Sequence, residues 1–411
     1  MSKKKAAYLD LDNRKNDFPQ ETTQDSTIEA VNELLREGIA RGASDIHLEP
    51  VEEGLNIRLR IDGKLYFLQR FSREMFPLVI SRLKIMAGMN IAEKRLPQDG
   101  NIYLEEGKQG INIRVSTLPL IHGEKMVLRI LNPAGLLMSL NSLGFNEDNL
   151  MLYQKFLEYS CGMILVTGPT GCGKTTTLYS TLKHINSPEK NIITVEDPVE
   201  YRIENVNQVQ VNTKTGLTFA AALRTVLRQD PNIIMVGEIR DAETAEIATR
   251  AALTGRLVFS TLHTSDAPRA VTRLLDMGVE PYLLNSALVG VVSQRLIRLN
   301  CRHCLEEDRP GAAELSLYRK VCPEEETPVF YRGRGCIHCN YTGFKGRIAI
   351  HELMPVDETM RDLIQTSRSE RQIRNYAISR GMKTLLQDGM QRAARGETTL
   401  QEVIRETYYA F

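Results

Sequence analysis

Gly168-Pro169-Thr170-Gly171-Cys172-Gly173-Lys174-Thr175 is the stretch whose reading decides the fold. It satisfies the spacing G-x-x-x-x-G-K-[ST]. The apolar run Met163–Thr167 before it predicts a strand, and Thr176 to His184 after it predicts a helix, as such a loop requires. A chance glycine turn would not carry both flanks. Glycines let the backbone pass close to a phosphate. Successive N–H groups and a helix N-terminus then stabilise its charge. In such a loop the lysine, Lys174, reaches the β- and γ-phosphates, and the hydroxyl of Thr175 binds Mg²⁺. Gly168 to Thr176 is therefore the expected nucleotide cradle. Cys172 holds a variable position in it. Its place near a helix N-terminus invites oxidation, but a merely tolerated side chain is the plainer reading.

Outward from the loop, short apolar strands alternate with helical stretches: Ile192–Val195, Ile233–Val236 and Leu257–Thr261 follow Met163–Thr167. This rhythm predicts a parallel sheet covered by helices on both faces. Ligands bind at the carboxyl ends of such strands, and polar groups stand there. Glu196, Asp197 and Glu200 follow the second strand. Glu238 ends the third, the place of an acid that holds Mg²⁺ or its water. His263 and Thr264 end the fourth, where a γ-phosphate sensor belongs. A lone strand-end His or Glu is usually structural; three such segments beside a phosphate loop make a site.

The chain has 411 residues, enough for two or three domains. Residues 1–22 are polar and read as a disordered tail, with a three-lysine start but no apolar segment of an export signal. Residues 23–132 read as a small α+β domain. It has a helix marked by Ile28, Val31, Leu34, Leu35 and Ile39, with Asp25-Ser26-Thr27 as capping candidates. Strand-like alternations follow at Ile46 and Leu48, at Leu55 to Ile61, and at Ile111 to Val115, with Asp62-Gly63 as a hairpin turn. Residues 133–140 form a linker, 141–299 the nucleotide-binding core, 300–347 a cysteine-bearing module and 348–411 a helical region.

The 52 basic and 51 acidic groups leave a net charge of +1, so no global field draws nucleic acid or anionic lipid. No apolar run is long enough to span a bilayer. With no export signal, the seven cysteines belong in a reducing compartment, where paired cysteines suggest metal rather than disulfides. Cys301-x-x-Cys304 and Cys336-x-x-Cys339 are two knuckles of that kind, and four thiolates suit tetrahedral Zn²⁺. Gly333, Gly335, Gly343 and Gly346 offer tight turns around them. His303 and His338 are alternative ligands, read as bystanders beside four cysteines.

Glu196-Asp-Pro-Val-Glu-Tyr201, Leu227-Arg-Gln-Asp-Pro-Asn-Ile-Ile-Met-Val-Gly-Glu-Ile-Arg-Asp241 and Ser260-Thr-Leu-His-Thr264, with the phosphate loop, resemble the type II/IV secretion ATPase family. Ala43-Ser-Asp-Ile-His47-Leu-Glu-Pro50, Arg58-Leu-Arg60-Ile-Asp-Gly63, Ala92 to Gly100 and Arg114 to Pro119 extend the resemblance, which covers about residues 27 to 405. It implies a RecA-like ATPase domain preceded by a small PAS-like α+β domain. It makes Glu200 the general base, Glu238 the magnesium-side acid, and Glu196 and Asp197 parts of an "Asp box". His263 falls in a "His box". Arg114 and Arg60 become the first-domain arginines that approach the phosphates. The tetracysteine zinc module matches assembly-type members.

The resemblance further implies a homo-hexamer in the cytoplasm, peripheral at the inner membrane, pushing on an inner-membrane platform protein. Such a motor would drive type IV pilus assembly, type II secretion or DNA uptake, with ATP, Mg²⁺ and Zn²⁺ as its cofactors. A pilus retraction ATPase is the nearer alternative, and a nucleic-acid-dependent RecA-type ATPase with a zinc ribbon the farther one. No nucleic acid is expected, because no basic stripe with interleaved aromatics appears. A metabolite kinase or GTPase lacks support: no guanine-reading motif is present. One position departs from the family. Arg256 stands where another histidine is usual; it is always charged and cannot act as a base, though it could contact phosphate or a neighbouring subunit. The short N-terminus argues against the docking mode of longer family members.

Overall fold

The computed structural model describes residues 24–106, 109–131, 138–323, 328–366 and 369–407. The chain divides into two compact units between Pro133 and Ala134.

The first unit contains α1 (Gln24–Ala40), β1 (Asp45–Val51), β2 (Gly54–Ile61), β3 (Lys64–Ser72), α2 (Met75–Met86), β4 (Gln98–Glu106), β5 (Gln109–Leu120) and β6 (Gly123–Leu131). The strands form one antiparallel sheet in the order β3-β2-β1-β6-β5-β4. Alternate residues of these strands, Ile46 and Leu48, Ile57 and Leu59, Ile113 and Val115, Met126 and Leu128, are buried with Val31, Leu34, Val79 and Leu83 of the helices. That is the period-two signature of a half-buried sheet. Asp62 and Gly63 both have positive φ, 47° and 83°, as a two-residue hairpin of the expected kind needs. Asp25, Ser26 and Thr27 lie inside the first turn of α1 and do not precede it, so the capping expectation is corrected: the helical pattern simply begins earlier.

The second unit contains α3 (Glu147–Leu157), β7 (Gly162–Thr167), α4 (Lys174–Ile185), β8 (Ile192–Glu196), β9 (Asn207–Gln210), α5 (Phe219–Val226), β10 (Ile233–Val236), α6 (Ala242–Leu253), β11 (Leu257–Leu262), α7 (Ala267–Asp276), α8 (Pro281–Ala287) and β12 (Leu288–Asn300). Beyond them come β13 (Leu305–Asp308), α9 (Ala312–Val321), β14 (Phe330–Gly333), β15 (Phe344–Pro355), α10 (Glu358–Thr366), α11 (Glu370–Ser379), α12 (Leu385–Ala394) and α13 (Leu400–Thr407). Seven strands make the main sheet, ordered β15-β12-β7-β11-β10-β8-β9, and every neighbouring pair is parallel except β12–β15. Its central strands are buried on both faces. Met163, Leu165, Ile234 and Val258 face the helices α5 to α8, α10 and α11. Ile164, Val166, Met235 and Phe259 face α3 and α4.

The helical region expected over 348–411 begins only at Glu358. Residues 348–355 belong to β15, whose run Ile348 to Met354 pairs with β12 and is buried from Ala349. No alternation shows because this strand, like those at the sheet centre, is buried on both faces from Ala349 to Met354. The cysteine segment is thus the long connection of the β12–β15 hairpin. Its helix α9 shares a core with α12 and α13 through Tyr318, Leu385, Met390 and Val403.

Candidate active site and metal centre

The phosphate loop leaves β7 and enters α4, with Gly168, Gly171 and Gly173 at φ 149°, 78° and 92°. Those values favour glycine. At Gly168 space also demands it, because a Cβ would stand 2.5 Å from the Gln294 carbonyl oxygen. Lys174 Nζ donates to the carbonyls of Gly168 and Pro169, at 2.8 and 3.0 Å. Burial lowers its pKa from the usual lysine value. A cation resting on loop carbonyls is ready to exchange them for phosphate oxygens. Thr175 and Pro169 to Gly171 are exposed, and Thr176 is half-buried. Cys172 is buried and its thiol pKa is raised by that burial, which removes the oxidation reading.

The other strand ends converge on the same sheet edge. Glu238 follows β10 half-buried. Burial disfavours its charge, but Arg240, 2.5 Å away, outweighs this and holds the carboxyl below its usual range. His263 Nε2 lies 3.4 Å from the other Glu238 oxygen, and Arg240 reaches Asp197 at 3.6 Å. Glu238, Asp197 and His263 are thus linked through short contacts. The backbone before Glu238 is pinned by Ser260 and Thr261 hydroxyls donating to the Val236 and Gly237 carbonyls, at 2.9 and 2.7 Å. Thr167 at the end of β7 is tied to Thr264, hydroxyl to hydroxyl, at 2.6 Å.

Glu196 and Glu200 play different parts. Glu196 is buried, and its carboxylate accepts from Tyr179, from Thr194 at 2.6 Å and from Gln208 at 3.1 Å. It is a structural hub rather than a free ligand. Glu200 is half-buried on the following loop, after the cis Asp197–Pro198 bond. Its N–H donates to the Tyr179 hydroxyl at 3.1 Å. Gln208 also donates to the Tyr201 carbonyl at 3.0 Å and accepts from the Ile203 N–H at 2.8 Å, so one amide ties the middle of this loop to Glu196.

Arg256 is at the opposite edge of the sheet. Its carbonyl accepts the N–H of Gly162, the first residue of β7, and its guanidinium donates to the Thr254 carbonyl at 2.6 Å. Six strand residues, about 20 Å at 3.3 Å each, separate it from His263. Contact with phosphate held by its own loop is therefore excluded.

In the first unit, Arg60, Asp45, Arg129 and Arg114 occupy one row across β2, β1, β6 and β5. Asp45 pairs with Arg129 at 3.0 Å and Arg60 at 3.6 Å, so two of these arginines share one acid. Sequence reading named Arg60 and Arg114 and missed Arg129. Strand register, which places it in the row, is not visible in a single strand. Tyr179, Arg240 and Gln294 were missed for a similar reason: each acts through a tertiary contact.

The four cysteine Sγ atoms lie within 4.8 Å of one another. Three pairs stand at 3.8 to 3.9 Å, and tetrahedral ligands at 2.3 Å from zinc would be about 3.8 Å apart. Backbone N–H groups of Gly335, Cys336 and Gly343 point at Sγ of Cys304 and Cys339, at 3.2 to 3.3 Å. Burial works against charge at Cys339, but the N–H groups of Cys336 and Gly343 outweigh it and bring the thiol to about 7, whereas burial pushes Cys304 up to about 12. Gly333 and Gly343 cross so closely that a Cβ on the first would be 1.9 Å from the second's oxygen. His303 and His338 stack on each other, centroids 4.1 Å apart, outside the thiol set. The cluster fits a zinc-binding module with four sulfur ligands and no histidine.

The family described as "Type II/IV secretion system protein" matches residues 20–405. The chain is 48% identical over 389 residues to the type IV pilus assembly ATPase PilB of Thermus thermophilus, covering 95% of this chain but 44% of that one. It is 46% identical over 402 residues to the type II secretion system protein E of Pseudomonas aeruginosa, covering 98% and 80%. Among solved structures, the pilus retraction motor PilT with bound ADP superposes with a TM-score of 0.60 at 28% identity, over 91% of this chain and 95% of that one. The Legionella pneumophila ATPase DotB superposes at 0.69 with 20% identity, over 94% and 96%, a likeness of fold.

Proposed function

The chain belongs to the type II/IV secretion system protein family, and from that premise we propose that it is an ATP-hydrolysing motor subunit for pilus assembly or type II secretion. The observation that carries this is one sheet edge holding the phosphate loop, Glu238, Asp197 and His263 together.

Loop amides and the start of α4 bind the triphosphate, and Lys174 leaves the Gly168 and Pro169 carbonyls for its β- and γ-oxygens. Thr175 and Glu238 would hold Mg²⁺, which draws charge from the phosphates when bound. Glu200 takes a proton from the attacking water. Asp197 and Arg240 keep Glu238 oriented, Glu196 anchors the Glu200 loop, and His263 stands beside Glu238 to sense the γ-phosphate. Cys301, Cys304, Cys336 and Cys339 would hold one Zn²⁺, which contributes a crosslink and leaves no open position for chemistry.

The working form is a homo-hexamer at the cytoplasmic face of the inner membrane, acting on a membrane platform protein. No helix among the described residues is long and apolar enough to cross a bilayer, in keeping with a peripheral motor. The tetracysteine cluster favours an assembly-type motor over a retraction motor. Phosphate release from purified protein tests the reading: magnesium-dependent turnover is expected, and a protein that neither binds nor hydrolyses ATP removes it.

A further inference from the structure

One fully buried side chain outside the phosphate loop fixes its shape. Gln294, on β12, is 1% exposed. Its Nε2 donates to the Cys172 carbonyl at 2.8 Å, and its Oε1 accepts from the Thr177 hydroxyl at 2.8 Å. The Cys172 carbonyl can only accept, so the amide has one possible orientation and the Thr177 hydroxyl must be the donor. The same residue's backbone oxygen closes off the space at Gly168, and its Nε2 lies 3.2 Å from where a Cβ on Gly173 would stand. Gln294 therefore meets the loop at its start, at its last turn and at the first turn of α4.

The Cys172 carbonyl and the Gly173 N–H belong to one planar peptide unit and point in opposite directions. Anchoring that carbonyl on β12 leaves the Gly173 N–H directed away from β12. We propose that Gln294 is a positioning residue for phosphate binding: by holding the Cys172 carbonyl it aims the Gly173 N–H at the bound triphosphate. This rests on the reading of the loop as an ATP site. Neighbouring positions of the same hairpin grip the loop after His263: Arg295 donates to the Ser265 carbonyl at 3.1 Å, and Glu352 accepts the Ala267 N–H at 2.8 Å. The strand that leads to Cys301 thus also sets the nucleotide cradle.

The test is titration of a fluorescent ATP analogue with Mg²⁺ against wild type, Gln294→Leu, Gln294→Glu and Lys174→Ala. Gln294→Leu should weaken binding roughly tenfold, as the loss of one buried hydrogen bond implies, and should raise KM more than it lowers kcat. Gln294→Glu separates aim from packing. As an ionised carboxylate it cannot donate to Cys172 and repels phosphate, whereas the protonated acid can donate. Its affinity relative to wild type should therefore recover as pH falls from about 8.5 to about 6, where a buried carboxyl titrates. Wild-type affinity in both Gln294 variants, or an equal loss in Gln294→Glu at every pH, overturns the proposal. Should circular dichroism show Gln294→Leu unfolded, Thr177→Val removes the second tether alone; it should bind about threefold more weakly, and unchanged affinity overturns the idea. A wild type that binds no nucleotide, like Lys174→Ala, instead removes the ATP reading itself.

Discussion

The hydroxyl of Tyr179 joins two glutamates: it donates to the buried Glu196 carboxylate and receives the N–H of Glu200 at 3.1 Å. Burial, followed by the Glu196 carboxylate, raises the phenol's pKa, so it stays protonated at neutral pH. Tyr179 is therefore how α4, the helix that follows the phosphate loop, sets the backbone position of the proposed base. Tyr179→Phe keeps the ring but leaves Glu196 short of a donor and the Glu200 N–H without its acceptor. We expect kcat to fall roughly tenfold, the scale of one lost buried hydrogen bond, with ATP affinity within about twofold of wild type. An unchanged kcat in steady-state assays would show that the Glu200 loop is positioned by other contacts.

Lys174→Ala and Glu200→Gln should both abolish turnover for different reasons. The first removes the charge that meets the β- and γ-phosphates, so nucleotide binding itself should weaken by at least about tenfold. The second keeps size and polarity but cannot take a proton, so nucleotide should still bind while hydrolysis falls by about 10² to 10⁴. Equilibrium binding and phosphate release measured on the same preparations separate the two. Near-normal hydrolysis by Glu200→Gln would refute the base assignment.

Local sequence revealed the parts of this molecule that local physics determines. The phosphate loop, the central strands and the two cysteine knuckles each carry their signal within about ten residues. The positions that fine-tune the site do not. Gln294 lies 122 residues from Cys172 and reads as one of several polar residues, beside Ser293 and Arg295, in a strand with nothing local to mark it. Arg129 enters the arginine row only through the registers of β1 and β5. Glu196 reads as a ligand in sequence, yet its buried carboxylate already accepts from Thr194, Gln208 and Tyr179, contacts that no local pattern reveals. The C-terminal strand β15 was hidden because burial on both faces erases alternation.

The cysteine tetrad should bind one zinc per chain. Four thiolates and a dication sum to −2, and the N–H groups of Gly335, Cys336 and Gly343 offset part of that charge. Cys336→Ser should lower metal content and loosen the β12–β15 connection, and a chelator should lower the melting temperature of the wild type but not of the variant. Elemental analysis with thiol titration under native conditions checks it. Four freely reactive thiols and no metal in the folded protein would defeat the assignment.

His351 should make the protein sensitive to acid. Its imidazole is fully buried on β15 and stacked on Phe145, centroids 3.9 Å apart. Burial, then the charge of Arg392, lowers its pKa to about 3 from 6.5. Between these values the unfolded chain binds a proton that the native state refuses, so stability rises with pH through the window and is complete above 6.5. At pH 4.5 the deficit should be about 2–3 kcal/mol. Glu352, the next residue, acts in the opposite sense. Its burial raises it to about 7, so the native state holds the extra proton between 4.5 and 7, and stability falls as pH rises there. Because the two effects partly cancel in the wild type, the useful quantity is a difference. His351→Leu removes one and leaves the other, so its urea midpoint should fall with rising pH from 4.5 to 7 more clearly than that of the wild type. Parallel midpoint curves for the two proteins across this range would show that His351 takes up its proton without opening the fold.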